Sequence, residues 1–168
     1  MLQTWSSDIL SALLIAGAAV MLAAASHDFA TRTVPNWMAL TLAAIGLCAR
    51  TLDGHFISGM LVGIAVFVAA AFCWRRGWMG GGDAKLLSAA SLVVPPHLTI
   101  PFIVAMSLAG GVLALIYLAA QRLLPQPRYI ASRNLLARVV RAECWRVHRG
   151  CPLPYACAIG AGFLFVLF

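Results

Sequence analysis

The sequence predicts an all-α integral membrane protein with about six transmembrane helices, and three observations carry that prediction. Hydrophobic residues make up 62% of the 168-residue chain and charged residues only 10%, where a soluble domain carries roughly 25% charged residues. So few charges cannot coat a water-exposed surface, whereas a lipid-facing surface needs none. Apolar runs recur along the whole length of the chain. The basic residues, finally, collect in alternate gaps between those runs.

The runs cover Ile9–Ser26, Val34–Ala49, Phe56–Trp74, Lys85–Val94, Thr99–Ala120 and Leu153–Phe168. Several are shorter than the ~20 residues a lone helix needs to cross the hydrocarbon. Short helices suit a bundle in which half-buried loops find protein or water partners for their backbone groups. In the first run, Ala23-Ala24-Ala25-Ser26 has the small residues of a signal-peptide cleavage site. The residues before Ile9 hold Asp8 and no Lys or Arg, unlike a basic leader region, so cleavage is not expected.

Threading six spans sorts the charges. Loops one, three and five carry Arg32; Arg75, Arg76 and Lys85; and Arg122, Arg128, Arg133, Arg138, Arg141, Arg146 and Arg149. Only Arg50 falls on the other side. By the positive-inside rule the N-terminus lies outside and the three basic loops in the cytoplasm of a multi-pass protein. The net charge of +7 is thereby explained by topology, and no binding motif points to nucleic acid. Within the long fifth loop, 121–150, Leu135, Leu136, Val139, Val140, Cys144 and Val147 recur at helical spacing among arginines. That pattern predicts a basic amphipathic cytoplasmic helix lying on membrane lipid before the last span. The whole chain, 1–168, reads as one domain.

The five cysteines, Cys48, Cys73, Cys144, Cys151 and Cys157, show no disulfide-framework spacing and read as reduced packing residues. Cys144, His148 and Cys151 fit no strong zinc pattern and lack a fourth ligand. No metal and no cofactor are expected.

Acidic residues are few enough to weigh singly. Asp8 and Asp53 fall at the outer side as topology or solubility residues, and Glu143 sits among arginines as an ion-pair partner. Asp28 and Asp83 remain, each at the edge of an apolar span on the cytoplasmic side. Asp83 follows Gly80-Gly81-Gly82, glycines that allow positive φ or a close approach. Pro95-Pro96 should stop the following helix about 12 residues on, after about 18 Å of a ~30 Å core, which would sink Asp83 below the surface. An ionisable group there is a functional candidate by default. Asp28 closes the first span, with Arg32 one helical turn on as a possible partner.

Taken singly, Asp28 reads as an ordinary helix-end ion pair; taken together, the two carboxylates say more. Brought close in a low dielectric they cannot both ionise. One then acts as base to activate water and the other as acid towards a peptide bond. No serine has an evident histidine partner, and there is no HExxH and no phosphate-binding loop. A small ion-coupled transporter and a non-catalytic assembly protein are the other readings the residues allow.

Asp28-x3-Arg32-x-Val34-Pro35-Asn36 and Gly80-Gly81-Gly82-Asp83-Ala84-Lys85-Leu86 resemble the two signature segments of the type IV prepilin peptidases, GxGD intramembrane aspartic proteases. Pro152-Leu153-Pro154-Tyr155-Ala156-Cys157-Ala158-Ile159-Gly160 resembles the start of that family's last helix. The resemblance implies Asp28 and Asp83 as the catalytic pair. It implies Arg32, Pro35, Asn36, Gly80, Gly81, Gly82 and Lys85 as substrate-binding or supporting residues. The glycine loop would position Asp83 and admit substrate backbone. The implied partners are prepilins or pseudopilins of type IV pilus and secretion systems, cut at the cytoplasmic face ahead of their hydrophobic helix.

Larger members carry a cytoplasmic insert with paired CxxC motifs and methylate the product using S-adenosylmethionine. This chain runs from Ser26 to Pro35 without that insert, which removes the support for zinc binding and methylation. It is more similar to the short forms of Tad-type pili and archaeal preflagellins. The Tyr-Asp and Pro-Ala-Leu motifs of the presenilin kind of GxGD protease are not in the sequence.

Overall fold

The computed structural model describes residues 2–123 (side chains from residue 7 onward), 143–146 and 153–168. Each of the six apolar runs is helical: α1 Leu2–Thr31, α2 Asn36–Leu52, α3 Phe56–Arg75, α4 Gly81–Val93, α5 Thr99–Leu123 and α6 Tyr155–Leu167. A 3-10 turn, Pro96–Leu98, leads into α5, and one further helical turn covers 143–146. The described residues contain no strand. Three stretches, Ser7–Thr31, Phe56–Arg75 and Pro96–Leu123, are long and apolar enough to cross a membrane, and α2 and α6 are shorter apolar helices. The chain is an all-α membrane protein.

The short α4 is the centre of the bundle. It packs against α2, α3 and α6, and Ala84, Leu86, Leu87, Ser88, Ala89, Ala90, Ser91 and Val93 are all buried. Side chains this small let neighbouring backbones come close, which is how helices associate where lipid is as apolar as the helix surface. The two serines add no unmet polarity. Ser88 Oγ donates to Ala84 O and Ser91 Oγ to Ser88 O, both at 2.7 Å. The outer faces are the reverse in character, with Ile57, Leu108 and Phe165 largely exposed, as lipid-facing side chains should be.

The α5–α6 pair shows how tight the contacts are. A Cβ added at Gly162 would stand 2.6 Å from the backbone nitrogen of Met106, and Phe102 meets Phe163 edge-on with centroids 6.3 Å apart. Along the other seam, α1 packs on α2 and α6.

Several sequence-based expectations change. The first helix runs past Ser26 to Thr31, and Arg32 ends it with a left-handed φ of 59°. Gly81 and Gly82 belong to the first turn of α4 and leave only Gly80 as the extended residue before it. Positive-φ glycines occur at Gly54 and Gly77, so the Gly80–Gly82 run is used for close approach. Asp53, expected at the outer side as a topology or solubility residue, forms an ion pair with Arg50, which is fully buried. Cys48, expected as a packing residue, is exposed on α2, while Cys73, Cys144 and Cys157 are partly buried, and all four are free. The amphipathic helix expected from residue 134 onward falls mostly outside the described residues. Its described part, 143–146, is helical, and Glu143 there is buried against protein. Glu143 is ion-paired, as expected.

These contacts fix the ends of the bundle. One end gathers the C-terminus of α1, the 32–36 connection, the N-terminus of α4, the turn 143–146 and the start of α6. The opposite end holds the α2–α3 turn and the C-terminus of α4.

Candidate active site

Asp28 occupies the last turn of α1 and is 5% exposed. A carboxylate so far from water needs hydrogen-bond donors. One comes from α6, whose first-turn amide Ala156 N–H points at Asp28 Oδ2 from 3.4 Å. The first amides of a helix have no partner inside it and carry the positive end of its dipole, so they favour an anion at this place. This gives the Pro154-Tyr155-Ala156 segment a physical role. Pro154 precedes the first residue of α6, and the helix thus begun aims its amides at Asp28.

Asp83 lies at the third position of α4, in its first turn. A negative side chain there also complements the helix dipole. Its carboxyl folds back over the residue that opens the helix. A Cβ added at Gly80 would lie 2.8 Å from Asp83 Oδ2. Gly80 itself has φ −68° and ψ 145°, which any residue can adopt, so glycine is needed for space and not for conformation. Gly82 is crowded in the same way by loop one, since its Cβ would stand 3.3 Å from Val34 Cβ. That close approach brings the connection from α1 down onto the turn that carries Asp83.

The outcome is convergence. Asp28 and Asp83, 55 residues apart in sequence, both meet the start of α6, Asp28 at the Ala156 amide and Asp83 across a cavity from Tyr155. Beside Asp83 lies a cavity of about 470 Å³ walled by Cys73, Trp78, Met79, Gly80, Leu153 and Tyr155. Trp78 and Met79 come from the α3–α4 connection and Tyr155 from the start of α6, so three segments meet around the carboxyl. The cavity is mostly apolar with one acidic group, the make-up of a binding site for an uncharged chain segment.

The remaining sequence-predicted residues fall into two groups. Pro35 is the extended residue before α2, and Asn36 starts that helix. Lys85 Nζ donates to Asn36 Oδ1 at 3.0 Å. Lys85 lies two positions after Asp83, so helical geometry carries it to the opposite side of α4. Arg32, expected as a partner of Asp28, forms its ion pair with Glu143 and donates from Nη2 to Tyr117 Oη at 3.1 Å. Tyr117, Arg146 and the wall residues Trp78 and Met79 were not among the candidates. Nothing in the local spacing marks Tyr117 and Arg146, which packing brings in from distant segments, whereas Trp78 and Met79 stand just before Gly80 and their place next to the glycine run was the signal that could have found them. Among the described residues no three His, Cys, Asp or Glu side chains are grouped to hold a metal ion. His148 and Cys151 lie outside the described residues.

The Type IV leader peptidase family matches residues 15–115, more than half of the chain. The chain belongs to that family. The matched region runs from the middle of α1 into α5 and contains both aspartates, the 32–36 connection and the Gly80–Lys85 turn. Comparison with curated proteins and with solved structures gave no match. Family membership makes the protein a membrane protease of the leader-peptidase type, aspartic in class.

Proposed function

We propose that this leader peptidase is an intramembrane aspartic endopeptidase, with Asp28 and Asp83 as its catalytic pair. Its substrates are prepilins or prepilin-like proteins of type IV pilus or secretion systems. It removes their short basic leader at the cytoplasmic face of the inner membrane. The whole chain acts as one polytopic domain with six crossings, the N-terminus outside and loops one, three and five in the cytoplasm, embedded in membrane lipid. The observation that carries the reading is that two carboxylates, each at a helix end, meet the start of α6, Asp28 at the Ala156 amide and Asp83 across an apolar cavity from Tyr155.

The chemistry needs only the two carboxyls and a water. One carboxylate takes a proton from water as the oxygen attacks the scissile carbonyl carbon. The other carboxyl gives its proton to the carbonyl oxygen, forming the tetrahedral diol. Collapse then breaks the C–N bond: the proton gained by the first carboxyl passes to the leaving amine, and one diol hydroxyl returns its proton to the second carboxylate as the new carboxyl forms. For this the two carboxyls must come within about one water's reach of each other, hydrogen-bond length on either side. The Ala156 amide holds Asp28 on one face, which leaves its other oxygen for water. Gly80 leaves room for the Asp83 carboxyl to turn.

The test is leader cleavage of a co-expressed prepilin by wild type, Asp28→Asn and Asp83→Asn. Asn preserves size but cannot exchange a proton. Both variants should insert normally and leave the prepilin uncut. A variant that still cuts near the wild-type rate removes the paired-carboxyl mechanism.

A further inference from the structure

The last turn of α1 leaves carbonyl groups that no residue of the helix can satisfy. Arg146 takes two of them. Its Nη1 donates to Phe29 O at 3.0 Å and its Nη2 to Ala30 O at 2.9 Å. A guanidinium at that position also meets the negative end of the helix dipole. Arg146 is held in turn by Glu143, Nη1 to Oε2 at 3.1 Å. Buried Glu143 forms a second ion pair, with Arg32, and accepts the Tyr117 hydroxyl.

Arg32 is where the second grip lands. Its left-handed φ of 59° costs a non-glycine residue on the order of 1 kcal/mol and persists only when the surroundings hold it. Its backbone N–H nonetheless closes on Asp28 O at 2.7 Å. The residue that ends α1 is thus held by Glu143, and the carbonyls just before it are held by Arg146. Both grips act on the turn that carries Asp28. They come from a segment beyond the family match, which ends at residue 115.

We propose that Glu143 and Arg146 are positioning residues: a clasp from the fifth loop that fixes the height and rotation of the last turn of α1. It thereby sets where the Asp28 carboxyl meets Asp83. The inference rests on the reading of that pair as catalytic. Neither residue is offered as touching substrate. A misplacement of about 1 Å at reacting groups can cost on the order of 10²-fold in rate, so a loosened clasp should be felt in turnover before it is felt in binding.

The experiment measures kcat and KM for leader cleavage with the full chain in membranes, per amount of folded protein. Glu143→Gln and Arg146→Ala should each lower kcat by roughly tenfold with KM within about twofold, a positioning loss. The double variant should be little worse than the poorer single one, since both act through one turn. Arg146→Lys, which can reach one carbonyl, should recover part of the loss. Where Glu143→Gln fails to accumulate, Tyr117→Phe removes one partner of the same carboxylate at nearly constant size and should lower kcat about threefold. Wild-type kcat in these variants overturns the clasp. So does a rise in KM at unchanged kcat, which would make them substrate contacts. Asp28→Asn separates the two readings. If it is inactive while the clasp variants are normal, the clasp alone fails; if it still cuts, the catalytic pair fails and the clasp with it.

Discussion

Arg50, fully buried near the end of α2, donates from Nη2 to the carbonyl of Val93 at the end of α4, 3.1 Å away. That carbonyl belongs to the last turn of α4 and has no partner within its own helix. The same guanidinium is paired with Asp53, one turn on, and its stem lies where a Cβ on Gly59 would stand. Three helices therefore meet on one side chain at the end of the bundle opposite Asp28. Because α4 is one rigid rod of 13 residues, anchoring its far end also sets the depth of Asp83.

Arg50→Ala should therefore cost about 3 kcal/mol, the scale for stranding one member of a buried ion pair. Arg50→Met, which keeps most of the buried stem, should cost less. Thermal unfolding of the detergent-solubilised protein, followed by helical circular dichroism, measures the difference. Equal melting of wild type and Arg50→Ala would show that the contact holds nothing.

Much of this was legible in the sequence, and the parts that were not have a common cause. The six helices follow from apolar runs, and the two aspartates stood out because acidic residues are so rare. Both are local or compositional signals. The role of Arg50 was hidden because its partner carbonyl lies 43 residues away. Spacing shows that Glu143 sits among arginines, but only packing shows that one of its partners is Arg32, 111 residues distant. Three consecutive glycines suggest a loop in the sequence, since they allow positive φ and a close approach and are poor helix formers. Dense burial of α4 overrides that propensity, and the helix begins at Gly81.

The Lys85–Asn36 hydrogen bond ties α4 to the start of α2 on the side of α4 away from Asp83. Lys85→Met and Asn36→Ala should each destabilise by about 0.5–1.5 kcal/mol, the net value of such a bond. The double variant should lose no more than the larger single one. A double-mutant cycle on melting temperature checks the coupling. Strict additivity would show that the two side chains act separately.

Two glycines in neighbouring helices should respond in opposite directions to the same added methyl group. At Gly162 the new Cβ meets the Met106 backbone at 2.6 and 2.8 Å, which cannot turn aside as a side chain can. The α5–α6 seam must open, at a cost of roughly 1–3 kcal/mol. At Gly111 nothing lies within 4 Å, and an exposed helical Gly→Ala change should gain about 0.5–1 kcal/mol. Melting temperatures of Gly162→Ala and Gly111→Ala should fall on either side of wild type. A stabilised Gly162→Ala would mean that the two helices are not in close backbone contact.

Gly80→Ala separates the role of that residue in the site from any role in the fold. Its backbone conformation suits alanine, and the residue is exposed, so stability should stay within about 0.5 kcal/mol of wild type. The added Cβ would nevertheless fall 2.8 Å from Asp83 Oδ2 and push the carboxyl out of its place. Leader cleavage should drop by roughly tenfold through kcat, as expected for a displaced reacting group. Gly82→Ala presses instead on the Val34 side chain, with its Cβ 3.3 Å away, and should cost stability before activity. Measuring cleavage and melting for both variants decides the matter. If Gly80→Ala melts early and cuts normally per folded molecule, the glycine serves the helix start and not the carboxyl.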